Sequence, residues 1–351
     1  MRVAVLVSGG VDSSVALARL AADGHHELTA FYLKIWLEDE LAFLGECPWD
    51  EDLRYVRAVC EPLGVPLEVV PLQQAYHARV VQRAVDELRA GRTPSPDLWC
   101  NAEVKFGAFF EAVGDRFDAV ASGHYARTRT VDGVTQLLRA PDPVKDQTYF
   151  LSRLRQDQLA RLLFPVGELH KREVRALAAT LGLASRERPD SQGICFLGRI
   201  PYPEFVRSYL GDRPGDIVDL DTGATLGRHR GLWFHTIGQR KGLGLGGGPW
   251  FVVDKDVASG RLLVAHADRV AAHQRASFEI EAVHWLSGPP TPGAALHARL
   301  RHGPTLVPCA LADAARGRLA VTLAAPDQGV APGQVAVFYE GERCLGSGII
   351  T

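Results

Sequence analysis

The sequence predicts an α/β protein: a doubly wound parallel sheet first, then a small central domain, then a C-terminal antiparallel β-barrel. Three observations carry that reading. Apolar runs alternate with amphipathic helical stretches over roughly the first 140 residues, the pattern of a parallel sheet with crossover helices. A change of texture follows between Pro201 and Pro214, with Gly-rich short runs beyond it. From Ser277 onward the chain turns to short alternating runs separated by Gly, Pro and Asp, as in a small barrel.

Taken in order, "RVAVLV" reads as a buried strand and "SSVALARLAADG" as an amphipathic helix, with Val15, Leu17 and Leu20 near helical spacing and Gly24 as its stop. "ELTAFYLKIW" is a second strand. Asp50 starts a helix whose face carries Leu53, Val56, Val59, Cys60 and Leu63, which makes Cys60 a core residue. "PLEVVPL" is a third strand, and a long helix is expected from about Gln73 to Arg89. "FDAVASG" is a fourth strand that ends in Gly123-His124. The stretch from "QTYFL" to "LGL" is helical and mixed in charge. "FEIEAVHW", "LHARLRH", "LVPCALA", "RLAVTLA", "QVAVFY" and "CLGSGII" are the barrel strands. The domains are therefore expected at 1–200, 201–274 and 275–351.

Of 351 residues, 46% are hydrophobic and 23% charged, with a formal net charge of -2, so no global basic field advertises nucleic acid. There is no signal-peptide pattern, no arginine-rich presequence and no apolar stretch near membrane-spanning length, so a cytoplasmic protein with no membrane partner is expected. The six cysteines are Cys47, Cys60, Cys100, Cys195, Cys309 and Cys344, and none lies within five positions of another. That excludes zinc ribbons and C-x-x-C redox or iron–sulfur pairs. Twelve histidines are scattered without metal-ligand spacing. No side-chain metal site is expected.

"SGGVDSS" follows the first strand directly and opens a helix. Such a turn brings backbone N–H groups and a helix N-terminus to one point, which attracts anions. Gly9 and Gly10 permit close approach, Ser8, Ser13 and Ser14 offer hydroxyls, and Asp12 stands near the helix start. The string lacks the lysine of G-x-x-x-x-G-K-[ST] and the spacing of G-x-G-x-x-G, so neither familiar phosphate loop is present. Leu33 and Gly123 fall at neighbouring strand ends, where ligands of doubly wound sheets gather. Two thiols have polar contexts: Cys100 in "TPSPDLWCN", with a helix expected to begin just after it and lower its pKa, and Cys195 in "RPDSQGICFLG".

The loop resembles the S-G-G-x-D-S signature of the ATP pyrophosphatases (PP-loop, adenine nucleotide alpha hydrolase-like), whose members adenylate a substrate and release pyrophosphate. "TPSPDLWCN", "SGHYA", "VKDQTYFL", "FPVGELHKREVR", "DSQGICFLG", "PGDIVD" and "HTIGQRKGLG" together resemble the bacterial-type tRNA-specific 2-thiouridylases, in order and over essentially the whole chain. The resemblance implies ATP, with Mg²⁺, bound at Leu6, Val7, Ser8, Gly9, Gly10, Val11, Asp12, Ser13, Leu33 and Gly123. It implies a persulfide on Cys195 loaded by a sulfur donor, either a cysteine desulfurase or a relay protein. Cys100 would be the partner nucleophile, forming a transient disulfide with Cys195, and Asp97 a general acid/base. Ser95, Pro96 and Asp97 would contact the target uracil. His124, Lys145, Asp146, Gln147, Arg301, His302 and Gln334 would contact tRNA, with tRNAs for Lys, Glu and Gln as substrates and no DNA.

Three positions depart from the family pattern. Ser95 stands in place of a frequent Asn, Ala102 in place of a Lys, and Leu33 in place of a Met. Arg240 and Lys241, in "GQRKGLGLGGG", fall in a loop that suits RNA backbone. The implied reaction adenylates O2 of the wobble uridine and then replaces that oxygen by sulfur, giving 2-thiouridine, AMP and pyrophosphate. An ammonia-transferring ligase of the same loop class would need a glutaminase domain, which is not legible, and a relic RNA-binding module would not need two thiols.

Overall fold

In the computed structural model the described residues are 1–35, 49–190 and 201–351. Cys47 and Cys195 therefore lie outside them. The first sheet is built from β1 (Arg2–Leu6), β2 (Glu27–Lys34), β3 (Leu67–Pro71), β4 (Ala119–Ala121) and β7 (Leu162–Leu163). Its order is β3-β2-β1-β4-β7 and every pairing is parallel. β1 explains why its sequence is apolar throughout. Val3 and Val5 enter one core with α1 (Val11–Asp23), α2 (Trp49–Leu63) and α7 (Lys171–Thr180), while Ala4 and Leu6 enter the other. A strand covered on both faces needs no polar alternation.

The second face is covered by two helices that change pitch. α3 runs through Gln73–Tyr76, a π-helical segment His77–Val81 and Gln82–Arg89. α4 runs through Pro96–Trp99, a π-helical segment Cys100–Ala108 and Phe109–Val113. In α4 the wholly buried Gln158 donates its amide to the carbonyls of Ala102 and Phe106, both at 2.8 Å. Wide turns of this kind are frequent at functional sites.

The hairpin β5 (Ala126–Val131) and β6 (Val134–Arg139) leaves the parallel sheet and joins the barrel instead. The barrel is β12 (Arg275–Trp285), β13 (Leu296–Arg299), β14 (Val307–Asp313), β15 (Leu319–Asp327), β16 (Val335–Glu340) and β17 (Arg343–Ile350). In the order β12-β15-β14-β13-β16-β17 it closes through β12 and β17. All six strands expected from the sequence form. β6 pairs with β17 through Leu138 and Leu137 opposite Arg343 and Cys344, so main-chain hydrogen bonding crosses from the first domain to the third. Between them, β8 (Gly215–Asp219), β9 (Thr225–His229), β10 (Trp250–Asp256) and β11 (Arg261–His266) make a four-stranded sheet. The short helices α5 (Thr148–Leu151), α6 (Gln156–Leu159) and α8 (Tyr202–Leu210) fill the joints. Phe205 and Val206 of α8 belong to the first domain's core. No described helix is long and apolar enough to cross a membrane.

Candidate functional site

β1 is the switch point of the parallel sheet: the chain moves from it to β2 and β3, then returns to β4 on its other side. Crevices at such points hold ligands. Leu6 to Ser13, Leu33 and Gly123 all lie there, at the carboxyl ends of β1, β2 and β4, as the sequence implied. Gly9 takes φ +75, a left-handed conformation that suits glycine, and a Cβ there would lie 2.8 Å from the Asp52 carbonyl. Gly10 caps α1 in extended conformation without a side-chain bond, so the first-turn N–H groups of α1 face the crevice. The Ser13 hydroxyl receives the Ser8 amide at 3.2 Å and donates to the Gly10 carbonyl, folding the loop on itself. Gly123 closes the other wall; a Cβ on it would fall 2.6 Å from the Ser13 nitrogen and 2.8 Å from the Asp12 carbonyl carbon.

Cations stand beside this loop that its sequence does not contain. Lys171 Nζ lies 2.6 Å from Asp12 Oδ1, and the Tyr125 hydroxyl donates to the same oxygen at 2.7 Å. Lys171 also pairs with Asp190 at 2.8 Å, and Asp190 receives Lys145 and Arg175 at 2.6 Å each. Burial works against the Asp190 charge, but the hydrogen bonds from Lys145 and Lys171 outweigh it and hold the carboxyl well below the usual range. Arg188 reaches from the other side, donating to the Gly9 carbonyl at 3.1 Å and to Asp52 at 2.7 Å. No local signal ties these residues to the loop: Tyr125, Lys171 and Arg188 lie 113, 159 and 179 positions from their partners in it.

A cavity of about 1160 Å³ opens where the three domains meet. Its walls are Thr93 to Leu98, Tyr149 and Phe150 from the first domain, Trp233 to Lys241 from the central one, and Arg301, His302, Gln328 and Gln334 from the barrel. Ser95, Pro96 and Asp97 are therefore in it together with Arg240 and Lys241. Burial pushes the pKa of the Asp97 carboxyl up, opposed by the charge of Lys105. His302 stacks on Phe150 at 4.7 Å between ring centres. His235 Nδ1, Gln328 Nε2 and Gln334 Oε1 are buried without a hydrogen-bond partner among the described residues, which suits a polar ligand in the cavity. The segment ahead of α4 is pinned by both other domains: Thr93 bonds the Thr236 hydroxyl at 2.7 Å and the Pro332 carbonyl at 2.8 Å.

The expected position of Cys100 needs correction. The helix begins at Pro96, with Ser95 as its cap, so the thiol stands in the second turn and not before the first. The dipole at the N-terminus acts on the first turn and falls off beyond it. Cys100 is 1% exposed and one turn below Asp97. Its turn is held by Asn101, which donates to the carbonyls of Asp97 at 3.0 Å and Phe150 at 3.3 Å.

Residues 1–199 match the family described as tRNA methyl transferase HUP domain, 203–266 its PRC-barrel domain, and 275–350 the aminomethyltransferase beta-barrel domain. The tRNA-specific 2-thiouridylase MnmA 1 of Bacteroides thetaiotaomicron is 44% identical over 357 residues, covering 100% of both chains. The chain belongs to the tRNA-specific 2-thiouridylase family. MnmA of Porphyromonas gingivalis is also 44% identical, over 100% of this chain and 99% of its own. The solved U34-tRNA thiolase NcsA of Methanococcus maripaludis shares 17% identity at a TM-score of 0.36, over 57% of this chain and 63% of that one, too loose a likeness to bear on fold or activity.

In this member of the 2-thiouridylases the residues implied for tRNA contact divide into two groups. Arg301, His302 and Gln334 line the cavity, Arg301 held to Asp327 by two bonds of 2.8 and 2.9 Å. The others are engaged by neighbouring groups: Asp146 is buried, and His124, Lys145 and Gln147 are partly exposed. Asp146 has a wholly buried side chain between Arg139 and Arg299, and its oxygens also receive the Ala140 and Thr148 amides, so it is an interdomain strut out of reach of RNA. The Gln147 side chain caps the Tyr125 amide at 3.0 Å, and Lys145 points to Asp190. His124 sits between Phe106 and Phe164, where burial, with Lys105 beside it, pushes its pKa down to about 3. A ring so desolvated is neutral at pH 7 and offers no charge to a phosphate. Among the described residues no group of three or more His, Cys, Asp or Glu is gathered as for a metal ion.

Proposed function

We propose that this protein is a tRNA 2-thiouridylase that activates the C2 oxygen of the wobble uridine with ATP and replaces it by sulfur. The observation that carries the reading is the course of α4. Its first turn places Asp97 in the three-domain cavity, and its π-helical segment packs Phe106 against His124, next to Gly123 at the nucleotide crevice. One helix thus joins a pocket that fits an extruded base to a loop that fits polyphosphate. Extrusion is the general solution when chemistry must reach a base atom.

The steps balance as follows. The uridine O2 attacks the α-phosphorus of ATP, pyrophosphate leaves, and O2 becomes an adenylate ester. The terminal sulfur of a Cys195 persulfide attacks C2, and AMP departs with the former O2. Cys100 thiolate then attacks the Cys195 sulfur, releasing the thiocarbonyl and forming a Cys100–Cys195 disulfide, which donor thiols reduce. Alternatively, Cys100 first releases the persulfide sulfur as sulfide, which attacks C2 itself. Asp97, which lines the cavity, moves the proton at the base in this reading. The sulfur comes from a donor protein, and tRNAs for Lys, Glu and Gln are the acceptors. In this reading the enzyme works in the cytoplasm on RNA, with no membrane or DNA partner.

Methyl transfer, named in the descriptions of the matching families, is the second reading. Whole-chain relatives named thiouridylases weigh against it. Incubating the chain with unmodified tRNA for Glu or Lys, MgATP, cysteine, a desulfurase and S-adenosylmethionine as a methyl donor, then digesting the tRNA for mass analysis, separates the two. We expect 2-thiouridine with AMP as co-product, and none with Cys195→Ser. A methylated nucleoside, or ADP in place of AMP, would overturn the proposal.

A further inference from the structure

We propose that Lys171 is the cation missing from the phosphate loop, and that it binds the pyrophosphate end of the nucleotide. This inference rests on the ATP-pyrophosphatase reading and names a residue that the loop motif does not contain. Lys171 is the first residue of α7, where the helix dipole disfavours a positive charge, so helix stability does not explain its placement. Its main-chain N–H is held by Asp142 at 3.0 Å, and its side chain, 15% exposed, turns toward the first turn of α1. There it meets Asp12, the acidic member of the loop, while Gly123 packs on the same turn from β4. α7 itself packs on α1, so the ammonium is delivered by a rigid neighbour and not by a loop.

Four cations and four carboxylates gather beside the loop: Lys145, Lys171, Arg175 and Arg188 with Asp12, Asp52, Asp142 and Asp190, so an incoming anion must displace a carboxylate from a cation. Burial raises the Asp52 pKa, opposed by the hydrogen bond and charge of Arg188. An ammonium has three N–H donors, and the two carboxylate bonds of Lys171 account for two of them. Asp190 draws three of the four cations onto one carboxylate, in the manner of a phosphate group. The Asp190 carboxylate and a pyrophosphate therefore compete for the same ammonium.

The test measures binding of inorganic pyrophosphate and of AMP to the full chain by calorimetry, with Mg²⁺ present. Lys171→Met should weaken pyrophosphate by about tenfold to a hundredfold, the range for losing a hydrogen-bonded charge, and leave AMP within about twofold. Lys171→Arg should keep most of the affinity. Asp190→Asn should tighten pyrophosphate, a gain that misfolding cannot imitate. Unchanged pyrophosphate affinity in Lys171→Met, or equal loss of pyrophosphate and AMP, would overturn the assignment and leave the nucleotide reading standing. A wild-type chain that binds neither ATP nor pyrophosphate would instead remove the nucleotide reading and this inference with it.

Discussion

Replacing Asp146 by alanine is expected to lower the stability of the chain by about 3–5 kcal/mol, the cost of removing one partner from a buried ion pair. Arg299 is 1% exposed and its guanidinium lies 2.9 Å from Asp146, close in distance but poorly aligned for a hydrogen bond. Its Nε and Nη2 have no hydrogen-bond partner among the described residues, so without Asp146 the charge would be left uncompensated above the Tyr339 ring. Arg139, at 3.3 Å, and the Thr148 hydroxyl, at 2.9 Å, would lose the same acceptor. Urea unfolding of the two chains measures the loss. The companion variant Asp146→Ala with Arg299→Met should recover a substantial part of it. A loss below about 1 kcal/mol would mean that the strut is an ordinary surface pair and that this loop is available to RNA after all.

Gly123→Ala is expected to reduce ATP-dependent AMP formation by at least about a hundredfold, because a shift of the reacting groups by an ångström costs that much. The added methyl would meet only main-chain atoms, at 2.6 to 2.9 Å from Asp12 and Ser13, so no side chain can move aside. Either the start of α1 or the end of β4 must shift, and both are walls of the crevice. Initial rates with tRNA at varied ATP measure the effect. An unchanged rate would place the nucleotide elsewhere.

The repeating patterns were legible in the sequence. Among the barrel strands β14 and β15 alternate in burial while β16 and β17 are buried almost throughout, and β1 and β4 show the apolar runs that a sheet covered on both faces requires. The β5–β6 hairpin also carries a local signal, "VDGV" at its turn, with Asp132 at φ 50 and Gly133 at φ 79. β7 is two residues long and sits in the apolar stretch "RLLF", too short for any period to mark it. The widened turn at Cys100 depends on Gln158, a residue 56 positions beyond Ala102, so no local pattern announces it. The loop was readable as a motif, but its charge was not. Lys171, Asp190 and Arg188 become neighbours of Asp12, Lys145 and Gly9 only when the sheet folds. The resemblance implied tRNA contact for Asp146, and burial is what redirects it.

The central claim is that ATP activates the oxygen that sulfur replaces. A tRNA transcript carrying ¹⁸O at O2 of the wobble uridine, taken through one turnover with MgATP and the sulfur donor, tests it directly by the mass of the AMP formed. The account predicts that each AMP released with a 2-thiouridine carries one ¹⁸O. AMP containing only oxygen from water or ATP, formed alongside the thiolated base, would contradict it.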